Sequence, residues 1–274
     1  NRGFEALLNL VPVQNKNFRW DFTANTAYNI TKVLSIITDK VGERITVGTH
    51  PFNGEVRLVV GEEMGQIAGF GYARNDKGER IFQSNGVPQA TPAFVMFGSG
   101  LPKWTGGFMN TFNISGINLS VFVDYKLGNK MLSGTNFNAY RHGLHKATLE
   151  GREGGVTGVG VNSAGAANIA KTPVQQYWEH LRSQGIVEPV IYDGGYWKLR
   201  QITLGYNFTR FMPAKWPIKG LKLDFVANNV LMIKKWVDNI DPETMGYGTD
   251  NLAGLESPGV PSTRGLGVNL NIKF

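Results

Sequence analysis

The chain ends in Gly265-Leu266-Gly267-Val268-Asn269-Leu270-Asn271-Ile272-Lys273-Phe274, and this stretch indicates the fold class. Its even positions are all apolar, and its odd positions are glycine, asparagine or lysine. Successive side chains of a β-strand point to opposite faces, so this pattern predicts a strand that separates an apolar environment from a polar one.

The same period-two pattern recurs upstream. In Phe18 to Ile30 the aromatic residues all occupy even positions, and in Asn118 to Leu127 apolar residues occupy the odd positions, with Phe122 as the one exception. In 197–208 the alternation slips near Arg200-Gln201, which predicts a β-bulge. The pattern as a whole predicts seven strands, near residues 4–13, 18–34, 104–114, 118–127, 197–208, 221–231 and 264–274.

The connections between these strands alternate in length. The short or middling ones are 14–17, 115–117 and 209–220, and the long ones are 35–103, 128–196 and 232–263. A transmembrane β-barrel has tight periplasmic turns and long outside loops, whereas a soluble sandwich has no reason to sort loops in this way. We therefore predict an all-β chain in an antiparallel transmembrane β-barrel, with the long loops extracellular and Phe274 periplasmic.

Aromatic residues lie at or near several predicted strand ends, among them Trp20, Trp104 and Trp197. Belts of aromatic side chains mark the two interfaces of a membrane, and this position fits such a belt. Aromatic residues are also frequent at strand ends in soluble β proteins, so their position alone leaves both interpretations open.

The amino-acid composition argues against a disulfide-bonded protein, a helical membrane protein and a nucleic-acid-binding protein. The 274 residues include 28 Lys+Arg, 21 Asp+Glu and no cysteine, which gives a net charge of +7 and excludes disulfides. Charged residues make up 18%, against about 25% in soluble domains. No stretch approaches the ~18 apolar residues of a membrane helix. The lysines and arginines are scattered rather than gathered into the basic stripe that binds nucleic acid.

Seven strands do not close a membrane barrel, because the smallest bacterial barrels need about eight and lipid tolerates no open sheet edge. We therefore expect more protein to complete the barrel. Either the chain is the C-terminal part of a longer polypeptide or several copies close one barrel, and the abrupt start at Asn1-Arg2-Gly3-Phe4 favours the first.

Several segments carry a resemblance to the C-terminal portion of the SusC/RagA type of TonB-linked outer-membrane transporter of the Bacteroidetes. These segments follow one another in a fixed order. The resemblance extends over residues 1–274, with the first sixty the least distinctive, and the chain finishes on Phe274 as the family does. The segments are Gly100-Leu101-Pro102-Lys103-Trp104-Thr105-Gly106-Gly107, Ala147-Thr148-Leu149-Glu150-Gly151-Arg152-Glu153, Tyr196-Trp197-Lys198-Leu199-Arg200-Gln201-Ile202-Thr203-Leu204-Gly205-Tyr206-Asn207, Asn228-Asn229-Val230-Leu231, Asp241-Pro242-Glu243 and Pro261-Ser262-Thr263-Arg264.

The resemblance implies a barrel of about 22 strands with an N-terminal plug. It also implies TonB and the proton-motive force as the energy source, and a SusD-like surface lipoprotein that lids the barrel during import of glycans or peptides. The plug, the TonB-binding region and the first barrel strands have no counterpart in this chain, so the function belongs to the whole transporter. The alternative is a structural or secretion-associated barrel segment without nutrient uptake.

Candidate chemical sites are weak. His142 and His145 lack a third metal ligand at useful spacing, and the segment 154–160 has the glycines of a phosphate loop without its lysine. Asp238, Asp241, Glu243 and Asp250 cluster without the spacing of a calcium loop. We therefore predict no enzyme activity, no catalytic or metal-binding residue and no cofactor.

One helix is predicted, over Thr172 to Gly185. Thr172 can cap it, Pro173 can occupy its first position, and Gly185 can end it. It has one apolar face, formed by Val174, Tyr177, Trp178 and Leu181. This face should pack on neighbouring loops, on the lid, or on both.

Overall fold

The computed structural model describes residues 1–213, 215–243 and 252–274. These residues form two α-helices, α1 (Gly134–Arg141) and α2 (Val174–Ser183), and sixteen strands. The strands are β1 (Arg2–Gln14), β2 (Phe18–Ile30), β3 (Arg44–His50), β4 (Gly54–Val59), β5 (Gln66–Gly69), β6 (Ile81–Phe82), β7 (Val95–Ser99), β8 (Trp104–Ile114), β9 (Ile117–Leu127), β10 (Lys130–Ser133), β11 (Val161–Asn162), β12 (Ile191–Asp193), β13 (Tyr196–Asn207), β14 (Gly220–Lys235), β15 (Leu255–Glu256) and β16 (Gly265–Lys273).

Seven of the strands form one antiparallel sheet in the order β1-β2-β8-β9-β13-β14-β16. Each strand pairs with the next sheet strand along the chain, so the three long connections leave from the same end. We call them the first loop (31–103), the second loop (128–195) and the third loop (236–264). The short connections lie at the opposite end.

Two strand ends differ from the sequence prediction by four residues, and the others by no more than two. β2 ends at Ile30 instead of residue 34, because the chain then leaves the sheet and Lys32 forms an isolated bridge with Glu63 of the first loop. β14 continues to Lys235 instead of residue 231, because its last residues still pair with the start of β13.

The bulge predicted near Arg200 is confirmed. The pairing of β13 shifts between Leu199 and Gln201 against both of its neighbours, β9 and β14. Leu199 lies opposite Val123 and Ile202 opposite Val121, two residues apart on β9. The extra residue therefore returns the apolar side chains of both halves of β13 to the same face of the sheet.

The pairing register of neighbouring strands places their apolar side chains on the same face of the sheet. On the last two strands Phe225 lies opposite Val268, and both side chains are more than half exposed. Polar groups on this face have partners: the Trp20 indole nitrogen donates to the Asn110 side-chain oxygen at 3.1 Å. A large, exposed apolar face with paired polar groups is the surface that a membrane-spanning strand presents to lipid.

The opposite face is polar. Thr23 donates to the Asn9 side chain at 2.8 Å, and Arg19 pairs with Asp21 at 2.6 Å. Phe122, the exception in the sequence pattern, lies on this face because it covers Gly107, where an added Cβ would come within 2.7 Å of its ring. The glycine thus makes room for the one aromatic ring that breaks the alternation of β9.

No helix in the described ranges is long and apolar enough to span a membrane. Both helices are short and lie in the second loop. The prediction of a single helix was wrong, since α1 was missed.

The predicted cap of α2 was also wrong. The helix begins after Pro173 without a side-chain cap, and the buried Thr172 hydroxyl instead donates to the Asn85 carbonyl oxygen of the first loop at 2.7 Å. At the other end the chain turns at Gly185, which has a φ of +67°.

Candidate functional site: the folded loop layer

The three long loops fold together into one structure, which we call the loop layer. A four-stranded sheet in the order β3-β4-β5-β7 belongs to the first loop, and β10 of the second loop joins β12 and the third-loop strand β15. Val56, Leu132 and Leu255, one from each loop, are buried in a single apolar core. The loops therefore stabilise one another, as loops of this length must if they are to be ordered.

Glu256 of the third loop holds the start of α1 in the second loop. Its buried carboxylate accepts hydrogen bonds from the Ser133 hydroxyl at 2.7 Å, the Thr135 hydroxyl at 2.5 Å and the Thr135 backbone N–H at 3.1 Å. A negative charge at a helix N-terminus is favourable because the first backbone N–H groups have no partner within the helix.

The apolar face of α2 packs mainly on the first loop. Tyr177 and Leu181 are buried in a core with Tyr72, Phe82 and Ile186. Trp178 is only half buried, and its ring stacks on Tyr140 of α1 at 4.4 Å between centroids. Neighbouring loops thus cover part of this face, and Trp178 remains accessible at its edge.

An ion-pair cluster, which we call the anchor, ties the third loop to the sheet. Arg200 lies 2.6 Å from both Asp124 and Glu243, and the Tyr196 hydroxyl donates to Glu243 at 2.8 Å. Lys198, whose side chain is only 3% exposed, pairs with Glu243 and donates to the Ser262 hydroxyl at 2.8 Å. Glu243 is the carboxylate that joins both cations.

The environment of Glu243 favours its charged form. Burial acts to raise the pKa of Glu243, but the hydrogen bonds from Arg200, Lys198 and Tyr196 outweigh burial and hold the pKa at about 2. Glu243 is therefore ionised at neutral pH, and the role of the anchor is to hold the loop layer against the strands.

Two further acidic residues of the third loop, Asp238 and Asp241, are also paired. Asp238 lies 2.9 Å from Lys146, and Asp241 lies 3.6 Å from Lys198 and accepts a hydrogen bond from Ser262. Asp250 lies outside the described residues. No three Asp, Glu or His side chains converge as a metal site within the described part of the chain.

The two histidines with three-residue spacing diverge. His142 is exposed, whereas His145 is buried against the Tyr140 ring at 4.2 Å, and its Nδ1 accepts from the Ala147 N–H. Burial lowers the pKa of His145, which favours the neutral ring. In the glycine segment 154–160, Gly160 packs so closely on Phe82 that an added Cβ would lie 2.7 Å from its ring.

A row of three cavities, which we call the α2 groove, runs along α2 at the surface of the loop layer. Their volumes are about 520, 350 and 370 Å³. Trp178 lines the first and the second cavity, while Arg152 and Gln175 line the first and the third. The shared residues make the three cavities one elongated surface feature. Nothing in the sequence pattern indicated it.

The chain is similar to known proteins in sequence and in fold. No family model matches the chain. Over its full length it is 23% identical to TonB-dependent receptor P3 and 22% identical to TonB-dependent receptor P39, both of Formosa agariphila. The chain spans only 28% and 30% of the length of these relatives.

Solved structures agree on the fold. The structure of the RagAB peptide transporter matches 99% of this chain with a TM-score of 0.68 at 16% identity, and the chain covers 29% of that protein. The RagAB peptide importer in its open-open state matches with a TM-score of 0.64 at 17% identity, and the chain covers 28% of it. The predicted resemblance and the predicted fold class are confirmed: the chain has the fold of a portion of a TonB-dependent transporter barrel.

Proposed function

We propose that this chain is the C-terminal part of the barrel of a SusC/RagA-type, TonB-dependent importer in the outer membrane. In this proposal a plug and further strands complete the barrel, TonB supplies energy, and a SusD-like lipoprotein covers the loop end while oligosaccharides or peptides enter. The observation that carries the proposal is the similarity of this chain, over its whole length, to part of two TonB-dependent receptors. No residue of the chain is assigned a catalytic role.

The loop layer supports an importer over a purely structural barrel. Closing a barrel needs only short turns, yet the three loops here form a shared core and are tied to the sheet through the anchor. Long ordered loops are usually functional. A rigid rim at one end of the barrel gives a lid a defined surface on which to close.

The partner is tested by purifying the intact transporter from the outer membrane through an affinity tag. We expect a second, lipid-anchored protein to be recovered with it, and uptake of its substrate by intact cells to stop when a protonophore dissipates the proton-motive force. Recovery of the barrel alone, with the second and third loops cut by added protease and no energy-dependent uptake, would favour the structural or secretion-associated alternative.

Orientation in the membrane is tested by inserting a protease site into one connection of each kind. A site between Thr38 and Asp39 in the exposed first loop should be cut by protease added to intact cells. The same site in the tight turn at Ser115-Gly116 should be cut only after the outer membrane is permeabilised. Cleavage at Ser115-Gly116 in intact cells would reverse the proposed orientation, and with it the periplasmic position of Phe274.

A further inference from the structure

The α2 groove has the shape of a site for a linear ligand. It follows a ten-residue helix through three adjacent cavities, and α1 forms part of the opposite wall. A compact molecule needs one enclosed pocket, whereas consecutive cavities with shared walls suit successive units of an oligomer.

Among the described residues, the groove is lined by more positive than negative side chains. Arg141, Arg152 and Lys171 line it, and none of the three forms an ion pair with any residue in the described ranges. Of the acidic residues that line it, Glu188 is paired with Arg74 at 2.5 Å, whereas Glu150 and Glu179 have no ion-pair partner among the described residues, so the cations outnumber the unpaired carboxylates. The groove therefore favours a ligand with negative groups.

Arg152 is held in place before any ligand arrives. Its guanidinium donates to the Gly143 carbonyl oxygen at 2.6 Å and to the Thr148 carbonyl oxygen at 3.0 Å. These neutral acceptors fix its position and leave its charge uncompensated. A fixed guanidinium loses little freedom on binding a carboxylate or sulfate, so more of the interaction energy appears as affinity.

Aromatic side chains complete the walls. Trp178 is half exposed where the first two cavities meet, although one face of its ring is stacked on Tyr140 and its indole N–H is buried. In the second cavity the Arg80 guanidinium lies 4.2 Å from the centre of the Tyr72 ring. The exposed part of the Trp178 ring beside these cations suits sugar rings that carry acidic groups, because one side of a sugar ring is apolar and its edge is polar.

An extended peptide fits this lining less well. Peptides in extended form commonly bind by adding a strand to an exposed sheet edge. None of the residues that line the three cavities belongs to a strand of the described fold. The groups that a ligand in the groove can contact are side chains on helices and turns.

We infer that the α2 groove binds an acidic, linear oligosaccharide through its cations and its aromatic walls. Its part in uptake rests on the proposed function, but binding itself does not. The groove would then give the transporter a preference for oligosaccharides that carry carboxylate or sulfate groups.

The test is calorimetric titration of the intact transporter with oligogalacturonate, with a neutral maltooligosaccharide of equal length and with oligoglutamate. Arg141→Ser and Lys171→Ser should each weaken oligogalacturonate binding about tenfold at low salt, the value of one charge-assisted contact. Lys40→Ser removes an exposed cation from the first loop, as Lys171→Ser does from the groove, and should leave binding unchanged. The maltooligosaccharide should bind weakly to all variants.

Unchanged oligogalacturonate affinity in both groove variants would overturn the inference. So would oligoglutamate that binds as tightly and loses the same affinity in these variants, since that result would point to acidic peptides. Neither outcome affects the lipoprotein partner or energy-dependent uptake. Conversely, the transporter could bind oligogalacturonate in the groove yet have no lipoprotein partner and no energy-dependent uptake. That result would overturn the proposed function and leave the groove inference intact.

Discussion

In the Glu243→Gln variant, the part of the third loop near the anchor should exchange its amide hydrogens about a hundredfold faster than in the parent protein. Lys198 and Arg200 share the Glu243 carboxylate, and the Lys198 side chain is almost fully buried. Glutamine keeps the size of the side chain but leaves two cations without their common counter-ion. Breaking a buried ion pair from one side costs about 3–5 kcal/mol.

We expect the lower end of that range, because Asp241 remains 3.6 Å from Lys198 and Asp124 still pairs with Arg200. A cost of about 3 kcal/mol in local opening corresponds to roughly two powers of ten in exchange rate. The measurement is hydrogen–deuterium exchange of peptides that contain residues 241–243 or 262 in the intact transporter.

Two controls locate the effect. Glu153→Gln removes an exposed carboxylate of the second loop that has no ion-pair partner among the described residues, and it should change exchange very little. Val237 packs on Met131 in a separate core, so peptides that contain Val237 and end before residue 241 serve as an internal reference. If the peptides around 241–243 exchange at the parental rate, the anchor does not hold the third loop.

The anchor also sets a direction for pH dependence. The pKa of Glu243 is held at about 2, below the ordinary value of 4.5, so the folded loop favours the ionised carboxylate. Its contribution to stability is therefore complete above the ordinary pKa and is lost as the pH falls from about 4.5 towards about 2. At neutral pH the anchor should be insensitive to small changes in pH.

The strands of the sheet could be predicted because lipid and lumen impose opposite demands on alternate residues. This constraint acts on each strand separately, so even the slip at Arg200 was visible as a change of phase between Leu199 and Ile202. The strand ends were less exact. They depend on where a neighbour stops pairing, as at Lys235, and no single strand contains that information.

The loop layer could not be predicted from local pattern. Its main core joins Val56, Leu132 and Leu255, which are distant in sequence and follow no common period. α1 contains residues of low helix propensity, and its N-terminus depends on Glu256 from another loop. Tertiary contacts rather than intrinsic propensity form this helix.

For the anchor, the sequence pattern predicts which face of the sheet its strand residues occupy but not which loop residue they contact. Lys198 and Asp124 fall on the polar side of their strands in the sequence pattern, which correctly separates them from the lipid side. The pattern gave no indication that Glu243, more than forty residues along the chain from Lys198, would lie between two cations. Lys198 is buried because residues of the third loop cover it, and the pattern of its own strand does not contain that information.

The face assignment itself predicts the second large effect, a cost of about 2–4 kcal/mol for Val268→Arg and almost none for Asn269→Arg. The two residues are adjacent in the middle of β16. Val268 lies opposite Phe225 on the apolar face, whereas Asn269 lies opposite Asp224, a buried carboxylate paired with Lys222 at 2.9 Å. An arginine at 268 must bring its charge into hydrocarbon, but at 269 it meets a carboxylate in the polar interior.

Reversible unfolding of the intact transporter in lipid vesicles would measure both free energies on the same background. Because β16 is one strand with one register, a loss of pairing would affect both substitutions alike, and only the lipid-facing position should carry the additional cost. Equal costs for Val268→Arg and Asn269→Arg would contradict the face assignment of the last strand. A larger cost at Asn269 would place the lipid on the opposite face of the whole sheet, since the register extends this face across all seven strands.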